Sequence, residues 1–290
     1  MKYWAGYQIT INPKYTVIFP IYVYDSDIHS NYNPISNLNK PNIKQFTGEI
    51  SKQSQIKLRY AISLLNYKSK PKKVLNPVTN SYYTFKINFI TLTLPSLQNN
   101  ITDKEIKSKY LNNFLIQLKN KFGVTDYIWK AETQENGNIH FHITTNTYIE
   151  HEKLRNLWNK VLWKSGLIQE FYKKHNHYNP NSTDIHSVKN IINFENYLIK
   201  YFCKNEKDKR KIEGKIWDCS NSLNYNNRLI ITEFNKNHEI NEYLENNFND
   251  QKISKDYCNI YKITLQELKN TKNSTIIETI KEWENRLEII

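Results

Sequence analysis

The chain has 290 residues, enough for one ordinary domain with additions or for two small ones. Its 41 basic and 28 acidic side chains leave a formal charge of +13, which admits a polyanionic partner. Lysine outnumbers arginine 36 to 5 and asparagine, isoleucine and tyrosine are abundant, a bias typical of A/T-rich coding sequence, so the charge is permissive for nucleic acid and not diagnostic.

The amino-terminal stretch is difficult to read. Tyr15–Tyr24 predicts a strand interrupted at Pro20, too short to span a bilayer and followed by no small-residue cleavage site. An Asn/Pro-rich stretch follows to about Thr47. Residues 50–68 predict a helix with Ile56, Leu58, Ala61, Ile62, Leu64 and Leu65 on a broad apolar face. Pro71, Pro77 and the intervening lysines predict a linker. From Tyr83 the signals sharpen. The β-forming run Phe85–Leu94 stops at Pro95. Thr102 and Glu105 have capping-box spacing and open a helix that Gly123 closes. Residues 126–134 and 139–146 predict strands around Glu135-Asn136-Gly137. A helix follows over 150–165, then a polar loop at 173–183, a strand at Asp184–Lys189 and a helix over 193–205. Further on, a strand at 228–234 and a terminal helix at 275–288 are predicted. The order β-α-β-β-α-β predicts an α+β, ferredoxin-like (split βαβ) antiparallel sheet, with helices on one face and the other free for ligand. No internal repeat and no GxxxxGK[ST] motif occurs.

Within this frame His140-Phe141-His142 is the most informative motif. Histidines two apart on a strand share a face, while the phenylalanine between them anchors the other face in a core. If Glu135-Asn136-Gly137 is a three-residue loop with Gly137 left-handed, Gln134 faces Asn138 and Glu132 faces His140. A two- or four-residue loop would instead bury a lone carboxylate beside Phe141, at a cost that favours the first register. Two imidazoles and a carboxylate with open positions suit Mn²⁺ or Mg²⁺ acting on a phosphate. His175-Asn176-His177 has the same spacing but a polar centre among Lys173, Lys174 and Pro180, and is expected to be surface loop. Cys203, Cys219 and Cys258 are widely spaced without a CxxC and predict free thiols in a reducing compartment.

Downstream, Phe194, Leu198 and Phe202 form the apolar stripe of a helix. Tyr197 and Tyr201 lie one turn apart at its border, each followed three residues later by a lysine, Lys200 and Lys204. Among 21 tyrosines such a pair arises easily by chance, and tyrosines bordering a core usually pack. Beside a metal-held phosphate, however, phenols with neighbouring ammonium groups are candidate nucleophiles.

Together these segments resemble the HUH-superfamily rolling-circle replication initiators. Phe89-Ile90-Thr91-Leu92-Thr93-Leu94-Pro95 is similar to their first motif and His140-Phe141-His142 to the His-hydrophobic-His motif, with Glu132 where relatives carry a third ligand. Tyr197 through Lys204 resembles the two-tyrosine motif of gene A-type initiators of microviruses, and of replication proteins of small Bacteroidetes plasmids and phages. Gly214–Ser220 is also similar to that second group. The resemblance implies an endonuclease domain over 85–205 with accessory regions at 1–84 and 206–290. It implies a divalent metal, Mg²⁺ or Mn²⁺, on Glu132, His140 and His142. Tyr197 and Tyr201, aided by Lys200 and Lys204, would cleave single-stranded or melted origin DNA, forming a 5′-phosphotyrosyl link and later closing the strand. The expected setting is the cytoplasm of a bacterial host, with a host helicase and polymerase as partners and no membrane. The rival readings are a two-tyrosine transposase or mobilisation relaxase, which shares the chemistry, and a non-catalytic single-stranded nucleic-acid module. The module needs exposed aromatics on central strands, and Phe141 points the wrong way for that.

Overall fold

The structure is a computed structural model, which describes residues 2–24, 48–76, 79–187, 194–203 and 210–289. The chain divides into two compact units, Met1–Gln45 with Tyr225–Ile290, and Phe46–Asn224.

In the larger unit, helix α1 (Lys52–Lys68) is capped by the Ser51 hydroxyl and leads into a hairpin of β3 (Lys72–Asn76) and β4 (Ser81–Phe85). The predicted linker is therefore a two-stranded ribbon; alternating lysines hid its period. Strand β5 (Asn88–Leu92) is shorter than the apolar run that suggested it. Asp103–Glu105, a π-helical turn Ile106–Leu111 and Asn112–Phe122 run on as one helix, α2. Thr102 caps it through the Glu105 amide at 3.1 Å, while the Glu105 carboxylate pairs with Lys109 at 2.8 Å. Strands β6 (Tyr127–Thr133) and β7 (Ile139–Thr145) form a hairpin, followed by α3 (His151–Leu162), α4 (Leu167–His175), β8 (Thr183–Ser187), α5 (Phe194–Phe202) and β9 (Trp217–Cys219). Helix α4 runs to His175, into what the sequence suggested was loop. Asn176 ends it in the left-handed conformation, and the His175 ring lies on Phe171.

The sheet order is β8-β5-β7-β6-β9, antiparallel throughout. The first four strands reproduce the ferredoxin-like arrangement, so the α+β expectation holds. Strand β9 adds an outer strand from the Gly214–Ser220 segment, where Trp217 donates to Ser54 Oγ at 2.6 Å. Alternation along the strands sorts the side chains. Ile90, Leu92, Trp129, Ala131, Phe141 and Ile143 point into a core closed by Phe114, Leu118, Leu154 and Trp158 from α2 and α3. Burying Phe141 completely contributes about 1.5–3 kcal/mol and pins β7 in register. The opposite face carries Phe89, Thr91, Lys130, Glu132, His140 and His142. It is only partly free. Helix α5 stands over it, with Lys130 Nζ donating to the Tyr201 carbonyl at 3.3 Å, and α1 packs on α5 and β6. The reason is the broad apolar stripe of α1: Leu58, Ala61, Ile62 and Leu65 are fully buried and need a partner. Residues 48–84 and 210–224, expected as accessory, thus share one compact unit with the motif-bearing segment.

The smaller unit has a second antiparallel sheet, ordered β10-β1-β2-β12-β11. Its strands are β1 (Lys2–Ile11), β2 (Thr16–Tyr24), β10 (Leu229–Ile231), β11 (Lys252–Lys255) and β12 (Cys258–Tyr261). Helices α6 (Phe234–Phe248), α7 (Leu265–Lys269) and α8 (Ser274–Ile289) complete it. Strand β2 runs through Pro20, because β12 pairs only with Thr16–Ile18 and leaves that side of Pro20 without a ladder. Gly6 has φ +126, and a Cβ there would sit 3.2 Å from the Phe234 ring. The two units differ in charge: 13 basic and 13 acidic residues in the smaller, 28 and 15 in the larger. A uniform lysine bias does not produce that segregation, so the whole excess positive charge belongs to the unit bearing the histidines. Among the described residues no helix is long and apolar enough to cross a membrane.

Candidate metal centre

The β6–β7 turn sets the site. Gln134 N donates to Asn138 O at 2.9 Å, Gly137 N to Gln134 O at 3.0 Å, and Gly137 has φ +84. This is the three-residue loop with a left-handed glycine, and it sets Glu132 directly opposite His140. The Asn136 side chain reinforces it by accepting from the Asn138 amide at 3.0 Å.

Three donor atoms converge on this face. The Nε2 atoms of His140 and His142 are 2.8 Å apart, and Glu132 Oε2 lies 3.8 and 3.4 Å from them, respectively. Ligands about 2.1 Å from one ion stand about 3 Å apart when at right angles, so these separations fit one small divalent cation. Among the described residues, this is the one group of three such side chains able to hold a metal. Its surroundings orient it: Thr91 Oγ1 lies 3.2 Å from His142 Nδ1, and the Phe89 ring stacks on His142 at 5.2 Å. A partner on Nδ1 leaves Nε2 to the cluster.

Lys130 is a residue the sequence reading missed. It is 3 % exposed, and its Nζ lies 2.6 Å from Glu132 Oε1. Strand parity could have found it, two residues before Glu132 and opposite His142. Burial alone would raise the Glu132 pKa; the bond to His142 and the Lys130 ammonium outweigh it and hold the carboxyl at about 2. The third ligand is therefore a carboxylate across the ordinary pH range.

Helix α5 brings a phenol to the cluster. Tyr201 Oη lies 2.8 Å from His142 Nε2 and 3.3 Å from Glu132 Oε2. The Tyr197 ring stacks on Tyr201 at 6.2 Å and is 47 % exposed. Leu198 and Phe202 are fully buried and hold the helix down, as their stripe suggested. Lys200 is exposed, and Lys204 lies outside the described residues, as does the Phe194 side chain. The ammonium closest to the cluster is that of Lys130, not one from the tyrosine helix. The expected surface pair His175 and His177 stays apart from this site, packed on Phe171. Cys203, Cys219 and Cys258 are free thiols, and burial, helped by Asp218, pushes the Cys219 thiol up to about 12.

A second arrangement braces the hairpin. Asp103, at the start of α2, is buried and receives both terminal nitrogens of Arg210 at 2.7 and 2.8 Å. Arg210 Nε donates to the Gly137 carbonyl at 2.6 Å, so the turn is tied to the helix start.

No curated protein sequence matches the chain. Residues 87–206 match the family model described as Replication-associated protein ORF2, a span that contains all three candidate ligands and both tyrosines. Through this segment the chain belongs to the rolling-circle replication initiators.

Proposed function

We propose that the larger unit is a metal-dependent, site-specific single-strand endonuclease that opens and reseals origin DNA through a tyrosine. The observation that carries this reading is the Tyr201 hydroxyl, 2.8 Å from His142 Nε2 and 3.3 Å from Glu132 Oε2. A phenol at hydrogen-bond distance from a cation-binding triad is positioned for attack on a phosphate held there. His140, His142 and Glu132 would hold Mg²⁺ or Mn²⁺, which when bound draws charge from the phosphoryl oxygens.

Tyr201 oxygen bonds to phosphorus, the bond from phosphorus to the 3′-oxygen breaks, and the phenolic proton ends on the released 3′-hydroxyl. The product is a 5′-phosphotyrosyl link and a primer end. Phosphodiester energy is retained in the tyrosyl ester, so rejoining requires no nucleotide cofactor. Tyr197, stacked on Tyr201 and more exposed, acts on the second strand end by the same exchange. The positive charge of the larger unit supports a DNA substrate. Lys200 and Lys204 remain the proposed partners of the phosphate's developing charge.

The test is incubation with the replicon's single-stranded origin and Mn²⁺, followed by mass spectrometry of the nucleotide-bearing peptide. The expected adduct lies on Tyr201 or Tyr197; an adduct elsewhere, or none, defeats the reading.

A further inference from the structure

A second functional surface lies on the helix side of the sheet, away from the histidines. Asn156, Asn159, Lys160 and Trp163 recur at i, i+3, i+4 and i+7, which puts them on one face along α3 and the 3₁₀ turn that follows it. Beside them lie Tyr178 and Asn179 from the loop after α4. The six side chains line a groove of about 390 Å³, in the size class of small-molecule sites.

The groove has three kinds of wall. The first is aromatic: Tyr172 and Tyr178 stack in parallel, 4.0 Å apart and 7° from coplanar. Trp163 continues the series 5.2 Å from Tyr178 and ends it, 46 % exposed. The second is amide: Asn159 is buried and fully engaged, donating to Pro180 O at 3.0 Å and accepting from Ser182 Oγ at 2.5 Å. Its neighbour Asn156 is exposed, and its amide has no protein partner among the described residues. The third is cationic: Lys160 is exposed, with no carboxylate in ion-pair range among the described residues. The core packing of α3 rests on Leu154, Leu157, Trp158 and Leu162, so folding does not require this polar-aromatic stripe.

From this geometry we infer that the groove binds one unpaired nucleotide of single-stranded DNA, outside the strand-cleavage site. The base continues the ring series on Trp163, Asn156 meets its polar edge, and Lys160 meets the phosphate. A ring series ending in an exposed indole has a free π-face, which any base can use. The adjoining ammonium, in the unit holding all the excess positive charge, selects an anionic aromatic ligand over a neutral sugar. The inference rests on single-stranded DNA as the substrate class, not on the identity of the nucleophile.

The probe is a deoxythymidine homopolymer carrying 4-thiothymidine, crosslinked to the full chain by light and mapped by peptide mass spectrometry. Crosslinks are expected on Trp163 or Tyr178. Trp163→Ala should weaken homopolymer binding about tenfold, within the roughly 5- to 150-fold range of losing one stacked base. Lys160→Glu should weaken it in a salt-dependent way, and Trp163→Phe should retain most of the affinity. Both positions are exposed, and unchanged melting temperatures establish that the variants fold. At saturating origin DNA the tyrosyl adduct should form at the wild-type rate in all three variants. Crosslinks confined to the sheet face, or unaltered affinity in both Trp163→Ala and Lys160→Glu, overturn the inference. Equal competition by a neutral glycoside would reassign the groove to sugar. Crosslinks at Trp163 without any tyrosyl adduct in the wild type would defeat the nuclease reading alone.

Discussion

Replacing Thr91 by valine tests the metal centre without touching a ligand. Thr91 faces His142 across the β5–β7 ladder, and its hydroxyl lies 3.2 Å from Nδ1. Valine keeps the shape and the strand preference but removes the acceptor. A bond of this length is at the long end of the N–H···O range and contributes about 1 kcal/mol net. Loss of such an outer partner usually weakens a metal site about 10- to 100-fold. Phe89 continues to hold the imidazole by stacking at 5.2 Å, so the low end applies. We expect Mn²⁺ to bind Thr91→Val about tenfold more weakly. Titration calorimetry of both proteins measures this, with thermal melting as the control for folding. The Mn²⁺ concentration at half-maximal strand cleavage should rise by the same factor, with full rate at saturation. Identical Mn²⁺ affinities would falsify the orienting role of Thr91. A rate that excess metal fails to restore would move its role to DNA contact.

Further outcomes follow from the same geometry. In single-turnover cleavage, Tyr201→Phe should slow the first nick by about 10³-fold or more, a barrier change of about 4 kcal/mol. Tyr197→Phe should spare that step and impair strand closure; the reverse order of effects would exchange the two roles. The double phenylalanine variant should bind origin DNA yet form no covalent adduct, and an undiminished adduct removes the mechanism. His140→Ala combined with His142→Ala, or addition of a chelator, should stop cleavage; full activity in chelator contradicts a metal centre. Arg210→Met strands the buried Asp103 carboxylate. Discounted for the partial exposure of Arg210, the loss should be about 2–3 kcal/mol in denaturant titration. Burial raises the Asp103 pKa, but Arg210, Gln98 and the Glu213 amide outweigh it and set the net direction downward. The carboxylate therefore contributes stability that is fully present above the ordinary aspartate range and is lost as pH falls through its lowered value. Arg210→Met should flatten that acid limb; an unchanged acid profile would show that the clamp is not what holds Asp103.

The site's skeleton was legible because it obeys local rules. Strand parity puts His140 and His142 on one face, a glycine at the third turn position sets Glu132 opposite His140, and helical spacing sets Tyr197 one turn from Tyr201. These relations span at most a few residues and need no knowledge of the rest of the chain. Lys130 obeys the same parity and was overlooked because a strand lysine ordinarily faces water. Only burial beneath α5 turns it into a partner of Glu132.

What the tertiary structure decided involves residues distant in sequence. Whether Tyr201 or Tyr197 meets the cluster depends on how α5 lies on the sheet, which the packing of α1 on α5 helps determine. Strand β9 joins β6 from nearly ninety residues away, and Arg210 reaches back to Asp103 and Gly137. The first strand pairs with β10, Ile9 opposite Ile231, so no local pattern in the amino-terminal region could announce its partner. Periodicity specifies which face of an element is apolar. It does not specify which other apolar face will cover it, because that choice is made by complementary shape and burial across the whole folded chain.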